Sequence, residues 1–76
     1  MLKRLNELTV GEKGTIKSVE GVGALKRRLF DMGVTPGAVI TVKKLAPLGD
    51  PIEINIRGYE LSLRKDEGKL VTVEVM

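Results

Sequence analysis

The sequence predicts a mainly β domain, a small and strongly bent barrel of about five antiparallel strands with one short α-helix inserted after the first strand. Three observations carry that prediction. The run Arg28-Leu29-Phe30-Asp31-Met32-Gly33-Val34-Thr35-Pro36-Gly37 closes an amphipathic helix on a glycine and then makes a Pro-Gly turn. Strand-like segments separated by short turns fill the chain beyond it. The composition is 42% hydrophobic but only 3% aromatic, so the core is aliphatic, built from the Ile, Val and Leu side chains that pack on a pleated surface.

Taken in order, Leu2, Leu5 and Leu8 lay an apolar edge across the core before Gly11 to Gly14 turn the chain into a first strand, Thr15 to Val19. Gly21-Val22-Gly23 ends it. In the helix that follows, Leu25, Leu29 and Met32 recur at i, i+4 and i+7, which is one helical face, and Gly33 stands where a left-handed cap is wanted. Phe30 lies roughly 100° round the helix from Leu29 and points at least partly outward.

Beyond Pro36-Gly37, strands are predicted at Val39 to Leu45, Ile52 to Arg57, Tyr59 to Arg64 and Leu70 to Val75. Ile52, Ile54 and Ile56 alternate with Glu53, Asn55 and Arg57, as a half-buried strand requires. A two-residue turn at Gly58-Tyr59, glycine first, would set Arg57 opposite Glu60, Asn55 opposite Ser62 and Glu53 opposite Arg64, with Ile56 on Leu61 and Ile54 on Leu63. In the preceding hairpin Val42 faces Ile54, Ile40 faces Ile56 and Lys43 faces Glu53, leaving Ala46-Pro47-Leu48-Gly49-Asp50 as the loop. Short antiparallel strands with one inserted helix in 76 residues suit a barrel of the SH3-like kind, in which sheet closure removes exposed edges. A single domain, residues 1–76, is expected.

The chain carries neither histidine nor cysteine, which excludes disulfides, thiolate zinc sites and the usual nucleophile–base pairs. Asp66-Glu67 and Asp50 with Glu53 are paired carboxylates, yet turns and a solvent face offer nothing to raise a pKa for acid–base work. The expectation is no enzyme, no catalytic residue, no cofactor and no dedicated metal site; the acids Asp50, Glu53, Glu60, Asp66 and Glu67 read as a solvated surface rather than ligands of a weakly held divalent transition metal. Gly21-Val22-Gly23 lacks the Gly-Lys-Ser/Thr ending of a phosphate loop. The net charge of +3 is small, and Lys26-Arg27-Arg28 fan round the helix in steps of about 100° instead of forming a stripe along a phosphate backbone, so nucleic acid is not expected as a partner. No signal-peptide pattern and no apolar run long enough for a membrane span are present. A cytoplasmic location is expected, with membrane contact only through a partner.

What rises above this is a set of outward apolar residues, Phe30 on the helix, Leu48 at a loop tip and Tyr59 at a turn, beside Arg27 and Asp50. Apolar anchors within a polar rim are the anatomy of a protein-docking site, and these five are the candidate partner-binding residues.

Arg28-Leu29 followed by Met32-Gly33 and Pro36-Gly37, then Pro47-Leu48-Gly49-Asp50-Pro51, then Gly58-Tyr59-Glu60-Leu61-Ser62-Leu63-Arg64, resembles the FeoA family across nearly the whole chain, from about Leu5 to Val75. Met32 stands where leucine is commoner. The resemblance implies a cytoplasmic SH3-like domain, an accessory factor without catalysis of its own, that acts on a FeoB-type GTPase transporter for ferrous iron. It also implies kinship with the C-terminal SH3-like domain of iron- and manganese-dependent repressors, so that a free-standing metal-sensing domain is the first rival reading; a small basic barrel binding nucleic acid is the second. The family supplies no agreed set of functional residues, and self-association is left open.

Overall fold

The computed structural model describes residues 1–76. Six strands form one antiparallel sheet: β1 (Leu2–Arg4), β2 (Lys13–Val19), β3 (Val39–Leu45), β4 (Ile52–Ile56), β5 (Tyr59–Leu63) and β6 (Val71–Val75). Their spatial order is β1-β6-β2-β3-β4-β5. Helix α1 (Gly23–Asp31) is inserted between β2 and β3, and a single turn of helix, α2 (Lys65–Gly68), links β5 to β6. Short 3-10 turns occupy Leu5–Glu7 and Pro47–Gly49.

The mainly β fold with a helix after the first long strand agrees with the sequence reading; the strand count rises by one. Leu2–Arg4 is too short to display an alternating pattern, and its strand character comes from pairing with β6, where Leu2 faces Glu74 and Arg4 faces Thr72. The N-terminal ammonium also meets the Glu74 carboxylate. Helix α2 is likewise absent from the sequence reading. Its third position is held by Glu67, whose Oε1 accepts the N–H of the preceding cap residue Arg64 at 2.8 Å.

Alternation builds the core. Ile52, Ile54 and Ile56 of β4, Val71 and Val73 of β6, and Ile40 and Val42 of β3 are all buried, joined by Leu5, Leu8, Ile16, Val19, Leu29, Val34, Ala38 and Leu63. Two strands break the period of two, and each break falls on a register shift. In β2 the buried positions run Gly14, Ile16, Val19, and the ladder to β6 slips between Ile16 and Ser18. In β3 the slip lies between Val42 and Lys44, so Lys44 rather than Lys43 faces Glu53 and Leu45 faces Ile52. The extra residue turns Leu45 inward against the core, which corrects the expected Lys43–Glu53 pair. Gly14 gives β2 and β6 their close approach: a Cβ there would lie 2.5 Å from both the Glu74 carbonyl oxygen and a Val73 methyl.

The β4–β5 hairpin also differs in register. Its turn is Arg57-Gly58, with φ of +50° and +86°, so Ile56 faces Tyr59, Asn55 faces Glu60, Ile54 faces Leu61 and Glu53 faces Ser62. The expected Arg57–Glu60 and Glu53–Arg64 pairs do not form. Left-handed conformation at both turn residues matches the natural twist of the flanking strands, and long-range bonds hold Arg57 in it. The guanidinium donates from Nη2 to Thr35 Oγ1 at 2.9 Å and from Nε to the Gly33 carbonyl at 3.5 Å. A slip of two keeps every side chain on its expected face, so the core prediction survives the wrong turn.

A candidate docking surface

Helix α1 is held to the barrel chiefly at its C-terminal end. The N–H of Gly33 bonds to the Phe30 carbonyl at 3.0 Å and that of Val34 to the Leu29 carbonyl at 3.0 Å, a Schellman motif with Gly33 at φ +90°. Leu29 and Val34, brought together by it, are wholly buried. Tyr59 then clasps the end of the helix, its hydroxyl donating to the Met32 carbonyl at 2.7 Å. A second tie joins Arg28 Nη1 to the Glu67 carboxylate of α2 at 3.0 Å; Glu67 is buried, not part of the solvated acidic surface expected of it. Along the rest of the helix little is buried. Leu25, expected on the inward stripe, lies in the first turn of α1 and is 39% exposed.

Each candidate partner-binding residue has a definite place. Phe30 is 40% exposed on α1, with the Lys26 ammonium 5.7 Å from its ring centroid, within cation–π range. Arg27 lies one turn earlier and lines a shallow depression of about 400 Å³ with Gly23, Ala24, Arg28, Asp31 and Met32. Tyr59 is exposed at its ring but committed through its hydroxyl to the helix end. Leu48 is 97% exposed and adopts a left-handed backbone, φ 74°, ψ 5°, uncommon for a bulky residue. Asp50 Oδ1 accepts the Lys65 N–H at 3.1 Å at the start of α2.

These five fall into two groups. Arg27 and Phe30 share α1, with Tyr59 fastened to its end. Leu48 and Asp50 lie beyond the other end of β4, a strand of five residues that spans roughly 17 Å. The sequence reading missed the fastening itself, Arg57 with Gly33 and Thr35, and Arg28 with Glu67. Only the left-handed demand at Gly33 was visible in the sequence; its partners are distant in the chain.

Two carboxyl groups titrate below their ordinary range, both outside this surface. The Thr9 backbone N–H, 2.8 Å from Glu12 Oε1, is the main cause at Glu12, with Lys3 adding to it. At Glu74 the cause is the N-terminal ammonium. No three acidic side chains converge anywhere in the structure. No helix is long and apolar enough to cross a membrane.

Six antiparallel strands in one sheet, which leaves β1 and β5 as edges instead of closing them as expected, with one short helix between the first long strands, define the class, a small SH3-like domain. Within that class the chain belongs to the FeoA family, whose domain model matches residues 3–75. A relative from Porphyromonas gingivalis, an Fe(2+) transport protein A/Fe(2+) transporter FeoB fusion protein, is 40% identical over 73 residues, which is 96% of this chain. The chain spans 9% of that curated relative's length. A solved iron uptake regulatory protein, FeoA, superposes with a TM-score of 0.92 at 32% identity, over 100% of both chains. FeoA of Stenotrophomonas maltophilia, solved with zinc and described as an SH3 domain protein, gives a TM-score of 0.81 at 27% identity, over 97% of this chain and 89% of that one. The family and the relatives described above belong to ferrous iron transport.

Proposed function

We propose that this domain is a non-catalytic docking and regulatory module acting in the cytoplasm on a FeoB-type ferrous iron transporter. The observation that carries the reading is the fusion relative, in which a homologous domain and a FeoB transporter are one polypeptide. Covalent fusion raises the effective concentration of two modules that work together. The domain supplies shape rather than chemistry. Phe30 with Arg27 on α1 is the first anchor, Leu48 is the second, Tyr59 fixes the angle of α1, and Asp50 braces the loop carrying Leu48 through Lys65. It holds no cofactor in this reading, recruits no nucleic acid, and meets the membrane only through the transporter.

The test is titration of the transporter's purified cytoplasmic region with this chain. Phe30→Asp and Leu48→Asp are expected to weaken binding about five- to thirtyfold each, since truncating or charging an apolar anchor costs on the order of 1–2 kcal/mol, while circular dichroism stays unchanged. Undiminished binding with both replaced would move the docking surface elsewhere. Absence of binding by the native chain would refute the function.

A further inference from the structure

Strand β5 is an edge of the sheet, paired with β4 alone. The Arg57-Gly58 turn decides which of its backbone groups that pairing uses. In a hairpin closed by two residues, the pair flanking the turn exchanges both hydrogen bonds, and so does every second pair after it. Those pairs are Ile56 with Tyr59, Ile54 with Leu61 and Ile52 with Leu63. Glu60 and Ser62 therefore turn their N–H and C=O groups away from β4, and neither residue finds a backbone partner elsewhere in the molecule. Arg64 prolongs the strand with φ −74°, ψ 152°; its N–H is taken by Glu67, and its carbonyl accepts from Gly68 at 3.0 Å while keeping a second lone pair.

Edges are commonly blunted by a proline, a bulge or an inward charge. β5 has none of these, and its register to β4 is unbroken. The charges beside its free groups, Glu60 and Arg64, are both exposed, lie on one face, and flank Ser62 with opposite sign. That arrangement is complementary to itself. When two copies run antiparallel about a two-fold axis at Ser62, Ser62 faces Ser62, Glu60 faces Arg64 on both sides of the axis, and Leu61 faces Leu63. Ser62 then exchanges two backbone bonds with its counterpart, and each Glu60 N–H reaches the spare lone pair of the facing Arg64 carbonyl. An axis at Leu61 instead would set Glu60 against Ser62 and Arg57 against Lys65, losing both ion pairs and opposing like charges.

We infer that the chain self-associates through β5 as a two-fold antiparallel pair centred on Ser62. The occupant of this edge is a second copy, because its charge pattern reads the same from either side of the axis. Of the five docking residues only Tyr59 belongs to β5, on the face opposite Glu60 and Ser62, and none of the substitutions below touches it, so the pairing stands or falls apart from the docking reading.

Sedimentation equilibrium of the native chain from about 10 μM to about 1 mM is expected to show a concentration-dependent dimer. Glu60→Arg and Arg64→Glu should each weaken it at least about tenfold, since each turns two attractive pairs repulsive. The double exchange Glu60→Arg/Arg64→Glu should restore it. Ser62→Pro, which removes an N–H that β4 does not use, should abolish it with the fold retained. A chain monomeric throughout the range overturns the inference and leaves the edge to a strand of another protein. So does a dimer indifferent to Glu60→Arg, or one that the double exchange fails to rescue.

Discussion

Replacing Gly33 by alanine tests how the helix is fastened to the barrel. Two costs add. A side chain at φ +90° is strained by about 1–2 kcal/mol. The new Cβ would also lie 2.6 Å from the Tyr59 hydroxyl oxygen, so the ring must swing away and forfeit its 2.7 Å bond to the Met32 carbonyl, a further loss of about 0.5–1.5 kcal/mol. The sum is about 1.5–3.5 kcal/mol, which lowers the melting temperature of a domain this size by roughly 6–28 °C. Thermal and urea denaturation of Gly33→Ala, Tyr59→Phe and the double variant separate the two costs. In the Tyr59→Phe background the hydroxyl is already gone, so the alanine should cost only the backbone strain, and the cycle should show coupling of about 1 kcal/mol. Strict additivity would refute the claim that Tyr59 is the obstacle. A total below about 0.5 kcal/mol would refute the strain argument as well.

Leu29→Ala should destabilise by about 2–5 kcal/mol as a cavity in a closed core, whereas Leu25→Ala should cost less than about 1 kcal/mol because its side chain is partly hydrated; chemical denaturation distinguishes them. Stability should fall in acid partly through Glu12 and Glu74. Both carboxyls titrate lower in the fold than their ordinary 4.5, so the unfolded chain takes up their protons first; their contribution is whole above pH 4.5 and is lost as pH falls through the folded values. Glu12→Gln should therefore flatten the acid limb of the melting-temperature profile, and a limb as steep as the native one would count against this origin.

Much of the fold was legible because local pattern and global fold agree. β3 has the predicted limits, and the isoleucines of β4 face inward as their spacing demands. The discrepancies share one physical origin, which is contacts made between distant residues. A glycine at Gly58 argued for a turn beginning there, but Arg57 takes a left-handed backbone that its own sequence neighbourhood does not favour, held by Thr35 and Gly33. Leu2–Arg4 becomes a strand only because β6 lies beside it. The candidate surface was legible to the same degree: helical geometry exposed Phe30 and turn chemistry exposed Leu48, but the distance between them depends on the run of β4 across the barrel. The role of Tyr59 as a clasp depends on where α1 ends, and no local pattern carries that.

Helix α1 sinks a single residue, Leu29, completely into the interior, and the fifteen-residue core closes largely without it. Its outer positions can therefore be rewritten at small thermodynamic cost. Homologous domains can diverge there to match different counterparts while the β scaffold stays constant, and a fluorophore attached through a lone engineered thiol at Val22, in a chain with no other, would report on the helix without disturbing what lies beneath.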